Sequence, residues 1–182
     1  GVTVVGSGYS TGVQHVNVVT YNDATIKGEM CLYGEKVVFN GCTFELANQY
    51  IWTYGAKVVE FNNCTFNTEG KAILVYNEGA GASDVKVNGC TFNATQSRYA
   101  GTISNLACAA IEIDNHQNSG VGTAHKVTTS GNTYNTTYFS GEWRIKKFVA
   151  GNAITVNGVE YTNMALDGRT MTFTSGTEVT VE

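Results

Sequence analysis

Val37-Val-Phe-Asn-Gly-Cys-Thr-Phe44 decides how this chain folds, because it recurs. Its pattern is apolar, any, apolar, an Asn-Gly-like pair, small, any, aromatic or apolar. Five other copies follow that pattern: Val19-Thr-Tyr-Asn-Asp-Ala-Thr-Ile26, Val59-Glu-Phe-Asn-Asn-Cys-Thr-Phe66, Val85-Lys-Val-Asn-Gly-Cys-Thr-Phe92, Val127-Thr-Thr-Ser-Gly-Asn-Thr-Tyr134 and Ile154-Thr-Val-Asn-Gly-Val-Glu-Tyr161. Counted from Asn22, successive turns lie 18, 22, 26, 42 and 27 residues apart. A period of this size is that of a solenoid, whose units bury their apolar faces against their neighbours. Within each copy the alternation puts Val37 and Phe39 on one side and Val38 on the other; after the turn, Cys42 and Phe44 point in and Thr43 points out. An Asn-Gly pair tolerates left-handed backbone and reverses the chain in two residues, and a tight hairpin would use the same dipeptide. Repetition decides between the two: near-identical copies stack in parallel, like residue on like.

Composition agrees with this reading. The chain has 182 residues, 21 glycines, no proline and only 14% charged residues, and its short β-branched and aromatic runs lie between Asn- and Gly-rich turns. That is an all-β chain of one domain. A net charge of −4 with eleven Lys plus Arg gives no basic stripe, so nucleic acid is not an expected partner. No apolar stretch approaches membrane-spanning length, so no membrane insertion is expected, and no signal-peptide pattern opens the sequence. The five cysteines follow no zinc spacing. Cys42, Cys64 and Cys90 share one inward slot, filled elsewhere by Ala24, Asn132 and Val159. A disulfide is geometrically open to them, but one ladder of parallel side chains is expected to stay as free thiols.

A third strand fits the gap after each aromatic: Met30–Gly34, Ile51–Gly55, Ala72–Tyr76, Ala110–Asp114 and Trp143–Lys146. Three short strands per coil make a right-handed, single-stranded parallel β-helix of about six to seven coils. Over residues 16–161 the coil pattern resembles the pectate-lyase-like superfamily, and within it the non-catalytic bacterial surface and adhesin-type domains. Residues 1–15 are expected to form an N-terminal cap or partial coil, and 162–182 a C-terminal cap in which Met171–Val181 makes a β-hairpin around Ser175-Gly176. In the family the asparagine turn joins the second and third strands. The resemblance therefore makes the gap segments the first strand, whose outer face carries the ligand cleft.

Read outward from coil to coil, that face carries Cys31 and Tyr33, Trp52 and Tyr54, Leu74 and Tyr76, Glu112 and Asp114, then Arg144 and Lys146. Aromatic faces suit the apolar faces of sugar rings, and the charged groups suit hydroxyls or acidic sugars. Insertions over about 94–108 and 115–126, the latter including His116, would wall a shallow groove there. The ligand-binding candidates are thus Tyr33, Trp52, Tyr54, Tyr76, Glu112, Asp114, His116, Arg144 and Lys146. Against this, stacked tyrosines and Glu–Arg neighbours are also ordinary cross-strand pairs. His116 and His125 read as solvated loop residues. The threonine ladder of Thr43, Thr65, Thr91 and Thr133 reads as ordinary β surface, since no second threonine column stands beside it.

Resemblance to the superfamily's enzymes is thin. Glu112 and Asp114 are few carboxylates for a calcium site, and the paired aspartates of the polygalacturonase-like hydrolases are missing; only Arg144-Ile-Lys146 matches their Arg-x-Lys element. No metal or cofactor is expected. The reading is an extracellular or cell-surface module, non-catalytic, that binds a glycan or host surface through the first-strand face. Two alternatives stay open. One is a lyase or hydrolase of acidic polysaccharide, with Glu112 or Asp114 as acid or base and Arg144 and Lys146 holding the sugar. The other is a structural or tail-spike-like unit.

Overall fold

The computed structural model describes residues 1–6, 17–78, 81–95, 109–115, 122–173 and 179–181. Strand β1 (Thr3–Val5) comes first. Strand triplets follow: β2 (Val18–Asn22), β3 (Thr25–Lys27) and β4 (Met30–Cys31); β5 (Lys36–Asn40), β6 (Thr43–Ala47) and β7 (Ile51–Tyr54); β8 (Val58–Asn62), β9 (Thr65–Thr68) and β10 (Ile73–Asn77); β11 (Asp84–Asn88), β12 (Thr91–Ala94) and β13 (Ala109–Asp114); β14 (Lys126–Ser130), β15 (Thr133–Tyr134) and β16 (Gly141–Lys147). The chain closes with β17 (Ile154–Val156), β18 (Val159–Tyr161), β19 (Ala165–Leu166), β20 (Arg169–Phe173) and β21 (Val179–Val181). No helix occurs among the described residues. The first member of each triplet joins one sheet, the second another and the third a third, nearly all by parallel pairing. This all-β arrangement, three sheets of stacked parallel strands, is compatible with a β-helix or solenoid.

Pairing is in register at the repeat. Val19 faces Val37, Val37 faces Val59, and Val59 faces Val85. Aromatic rings therefore lie one strand spacing apart in two internal stacks. Tyr21–Phe39–Phe61 are separated by 4.9 and 5.2 Å, and Phe44–Phe66–Phe92–Tyr134 by 4.5, 4.8 and 5.2 Å. The stacks meet edge to face, with 5.1 Å between Phe39 and Phe44. These rings, with Val, Ile and Ala from all three sheets, form one continuous core.

Each turn is held by its own residues. The second member of the pair has positive φ: Asp23 51°, Gly41 61°, Asn63 54°, Gly89 62° and Gly131 62°. The first members form an amide ladder, Asn40 donating to Asn22 at 2.9 Å, Asn62 to Asn40 at 3.0 Å and Asn88 to Asn62 at 3.3 Å. The small slot is inward, as its alternation predicts, and its thiols are free. Each thiol also donates across one coil: Cys42 to the Tyr21 carbonyl, Cys64 to Phe39 and Cys90 to Phe61, all at 3.4 Å. Asn132 does the same to Val87 at 3.0 Å. Cysteine suits this column because it is small and apolar and still carries a donor.

The sixth copy departs from the expected parallel turn. Ile154–Val156 and Val159–Tyr161 pair with each other antiparallel, and both Asn157 and Gly158 have positive φ, 50° and 81°. Two left-handed residues make a hairpin turn, whereas one bends the chain toward the next coil. Val159 is too bulky for the inward small slot and is 53% exposed instead. Antiparallel β19 then lies on β16, followed by β20 and β21; the Ser175-Gly176 turn lies outside the described residues. Most of 1–15 and of 94–108, and half of 115–126, also lie outside them.

Candidate binding face

The third strands β4, β7, β10, β13 and β16 lie side by side and bring together the residues read as one stripe. Their first column is in unbroken register: Cys31 faces Trp52, Trp52 faces Leu74, Leu74 faces Glu112, and Glu112 faces Arg144. The second column is less regular. Tyr54 has φ 46° and pairs with Asn77 rather than Tyr76, and Asp114 pairs with Lys147, leaving Lys146 at an irregularity. The rings still meet, Tyr33 with Tyr54 at 5.5 Å and Tyr54 with Tyr76 at 6.5 Å.

This face is not a uniformly open groove. Its aromatic end is half-buried: Tyr33, Tyr50, Trp52 and Tyr54 all keep partial exposure. Trp52 stacks on Tyr50 at 5.1 Å and meets the Tyr76 edge at 6.0 Å, while its indole N–H donates to Glu29 Oε1 at 2.6 Å. Beyond it Leu74, Tyr76, Glu112, Asp114 and Arg144 are buried. The outward alternation is correct, but strand periodicity says nothing of what covers the outer face of a sheet. His116 lies outside the described residues.

The charged end is tied together internally. Glu112, 1% exposed, is ion-paired to Lys71 through Oε1 and to Arg144 through Oε2, and Arg144 Nε also donates to Oε2 at 2.5 Å. Burial would raise the Glu112 pKa, but the two cations and Lys146 outweigh it, so the carboxyl is held below its ordinary range. Burial lowers Lys71, against the pull of Glu112. Its ammonium also lies 4.2 Å from the centre of the Tyr50 ring. Lys71, Tyr50 and Glu29 were not among the sequence candidates. The available signal was a lysine directly before the uninterrupted apolar run of Ala72–Tyr76, where a solvated residue would be expected.

His125 also corrects the sequence reading. It is buried, not solvated, and its Nδ1 accepts the Ser83 N–H at 3.1 Å. Desolvation lowers its pKa to about 4, which an interaction with the Asp114 backbone opposes only in part. The Ser83 hydroxyl in turn donates to the Ala56 carbonyl at 2.6 Å and lies 2.9 Å from Asn77 Oδ1, with the Thr53 hydroxyl 3.1 Å from the same oxygen. This network fastens the third-strand sheet to the chain that enters the next coil.

The sheet of β1, β3, β6, β9, β12 and β15 presents a longer threonine column than the one read from the repeat: Thr3, Thr25, Thr43, Thr65, Thr91 and Thr133 are in register. Beside it Asn67, Asn93 and Asn135 donate to Glu45, Asn67 and Asn93 at 2.9, 2.8 and 3.0 Å. A shallow depression of about 460 Å³ lies there, lined by Glu45, Asn67, Glu69, Asn93 and Thr95 among others. Three of its polar side chains already satisfy one another. Among the described residues no group of three His, Cys, Asp or Glu side chains is placed to hold a metal. Comparison with models of known protein families, with curated proteins and with solved structures finds no match.

Proposed function

We propose that the chain is a right-handed parallel β-helix of the pectate-lyase-like type serving as a non-catalytic, extracellular or cell-surface module that binds a glycan. Its contact would be the aromatic end of the third-strand sheet: Trp52, Tyr54 and Tyr33, with Tyr50 behind them. One contrast carries this reading. On a single face the aromatic residues stay half-exposed, while the carboxylate end is sealed and neutralised from within. Half-exposed rings held by stacking and by Glu29 present fixed apolar faces edged with hydroxyls, the surface that a sugar ring complements.

The same contrast weakens the catalytic alternative. A general acid or base must reach the bond it protonates, and Glu112 has both oxygens engaged by buried cations. The binding contribution of Glu112, Arg144 and buried Tyr76 would be indirect, through the platform they support. A glycan array probed with wild type, Trp52→Ala and Tyr54→Ala tests the proposal. Binding reduced at least tenfold by either substitution, in a variant whose circular dichroism and cooperative unfolding show the fold retained, is the expected result. Wild-type binding that survives both substitutions, or a wild type that captures no glycan, removes the aromatic end as the contact. Release of reducing ends or unsaturated product from uronic-acid polymers would favour the enzyme instead.

A further inference from the structure

Two carboxylates edge the aromatic end of the third-strand sheet. Glu29 precedes β4 and Glu78 follows β10, so they stand diagonally across β7, which carries Trp52 and Tyr54 between them. Each is fixed through its backbone and through one carboxylate oxygen. Glu29 Oε1 accepts the Trp52 indole N–H, and the Glu29 N–H donates to Gln49 Oε1 at 3.2 Å. Glu78 Oε2 accepts the Tyr76 hydroxyl, and the Glu78 N–H donates to the Tyr54 carbonyl at 3.0 Å. Burial, with Glu78 beside it, pushes the Tyr76 hydroxyl up, so that group stays a donor. Among the described residues Glu29 Oε2 and Glu78 Oε1 accept no bond, neither carboxylate is ion-paired, and both residues keep partial exposure.

The cations that could offset this charge are engaged or remote. Lys71 and Arg144 are buried against Glu112, Lys57 bonds Glu35 at 2.7 Å, and Lys146 lies on β16, three strands beyond β7. The half-exposed rings therefore sit inside an anionic rim, which repels an acidic sugar. Ring faces attract cations as well as the apolar faces of sugars. A carboxylate oxygen without a partner calls for an N–H donor, which a primary ammonium supplies and a quaternary ammonium lacks. We infer that the platform selects a glycan bearing protonated primary amines, an unacetylated amino-sugar polymer, with Glu29 and Glu78 receiving its ammonium groups and Trp52 and Tyr54 its ring faces. This rests on reading the aromatic end as the glycan contact. N-acetylation is the discriminating chemistry, because it removes the charge and leaves the sugar skeleton in place.

The probes are the hexamers of glucosamine, of N-acetylglucosamine and of galacturonic acid. Calorimetric titration of the full chain reads their binding at about pH 6, where such amines are protonated, and at about 0.15 M salt. The glucosamine hexamer is expected to bind at least tenfold more tightly than its N-acetylated counterpart, and the galacturonic acid hexamer not to bind. Glu29→Gln and Glu78→Gln keep an acceptor for the indole and hydroxyl donors but lose the charge; each should narrow that preference at least threefold. Glu160→Gln, on exposed β18 in another sheet, removes the same charge elsewhere and should leave the preference intact. Equal or tighter binding of the N-acetylated or the acidic hexamer overturns the amino-sugar inference and leaves the glycan contact standing. A narrowing as large in Glu160→Gln as in the other two also overturns it, because the attraction would then follow net charge alone. So does a glucosamine hexamer that does not bind, while the glycan array on Trp52→Ala decides the contact itself independently.

Discussion

His125 shows at the scale of one residue how burial becomes a pH response. Its pKa stands near 4 in the fold, against an ordinary value of 6.5, because the imidazolium would lose its water. As pH falls below about 6.5 the unfolded chain takes up the proton first, so it binds more protons than the fold across the interval down to about 4. The stabilisation is complete above that interval and is lost through it, reaching roughly 2 kcal/mol by pH 5 at about 1.4 kcal/mol per pH unit. His125→Asn keeps an acceptor for the Ser83 N–H but has no proton to gain. Denaturant titrations should show wild type losing roughly 2 kcal/mol more than the variant between pH 7 and 5. Parallel pH dependence in the two proteins would mean that His125 does not titrate as its burial requires.

At the scale of the element, the first four turns alternate in a way that the repeat alone leaves unexplained. The left-handed position runs Asp23, Gly41, Asn63, Gly89, and a Cβ added at either glycine would lie 2.5 Å from Oδ1 of the preceding turn's Asp23 or Asn63. A polar side chain at one turn thus occupies the space over the next, and glycine makes room for it. Gly89→Ala should cost about 1 kcal/mol for its left-handed backbone, plus a collision with Asn63. Gly158→Ala in the terminal hairpin, where nothing lies within 4 Å, should show the backbone cost alone. In an Asn63→Gly background the Gly89→Ala penalty should shrink toward that lower value, and chemical denaturation of the four proteins gives the coupling. Equal penalties with and without Asn63 would show that the neighbouring turn relaxes freely.

Those turns also mark where the fold was legible in the sequence. The stacking of Val19, Val37, Val59 and Val85, and the inward thiols, follow from periodicity, because a parallel stack repeats one environment at every coil. The stripe order Cys31, Trp52, Leu74, Glu112, Arg144 follows for the same reason. The terminal hairpin was concealed by its Asn157-Gly158 pair, which serves both turn types; the discriminating residues were Val159 and Glu160, where the other copies carry a small residue and threonine. Burial of His125 and of the charged end was not legible, since alternation reports which way a side chain points and not what lies over it.

At the scale of the whole molecule, the charged end of the third-strand sheet ties successive coils together. Lys71 enters with β10, Glu112 belongs to β13 and Arg144 to β16, so one carboxylate links three levels of the stack. Side-chain exposures of 3% for Lys71, 1% for Glu112 and 5% for Arg144 remove most solvent screening. An isosteric Glu112→Gln keeps the shape but leaves two buried cations without their counter-ion, and a loss of about 3–5 kcal/mol follows. The exposed pair of Lys57 and Glu35, bonded at 2.7 Å across adjacent coils, is a matched control in which Glu35→Gln should cost less than about 1 kcal/mol. Because neighbours carry the stability of a stack, the Glu112 variant should loosen β10, β13 and β16 before β2 and β5. Residue-resolved amide exchange would display that gradient, with the third-strand amides flanking Glu112 accelerating most. Uniform acceleration along the chain would instead show one cooperative unit, in which the cluster stabilises the fold without dividing it.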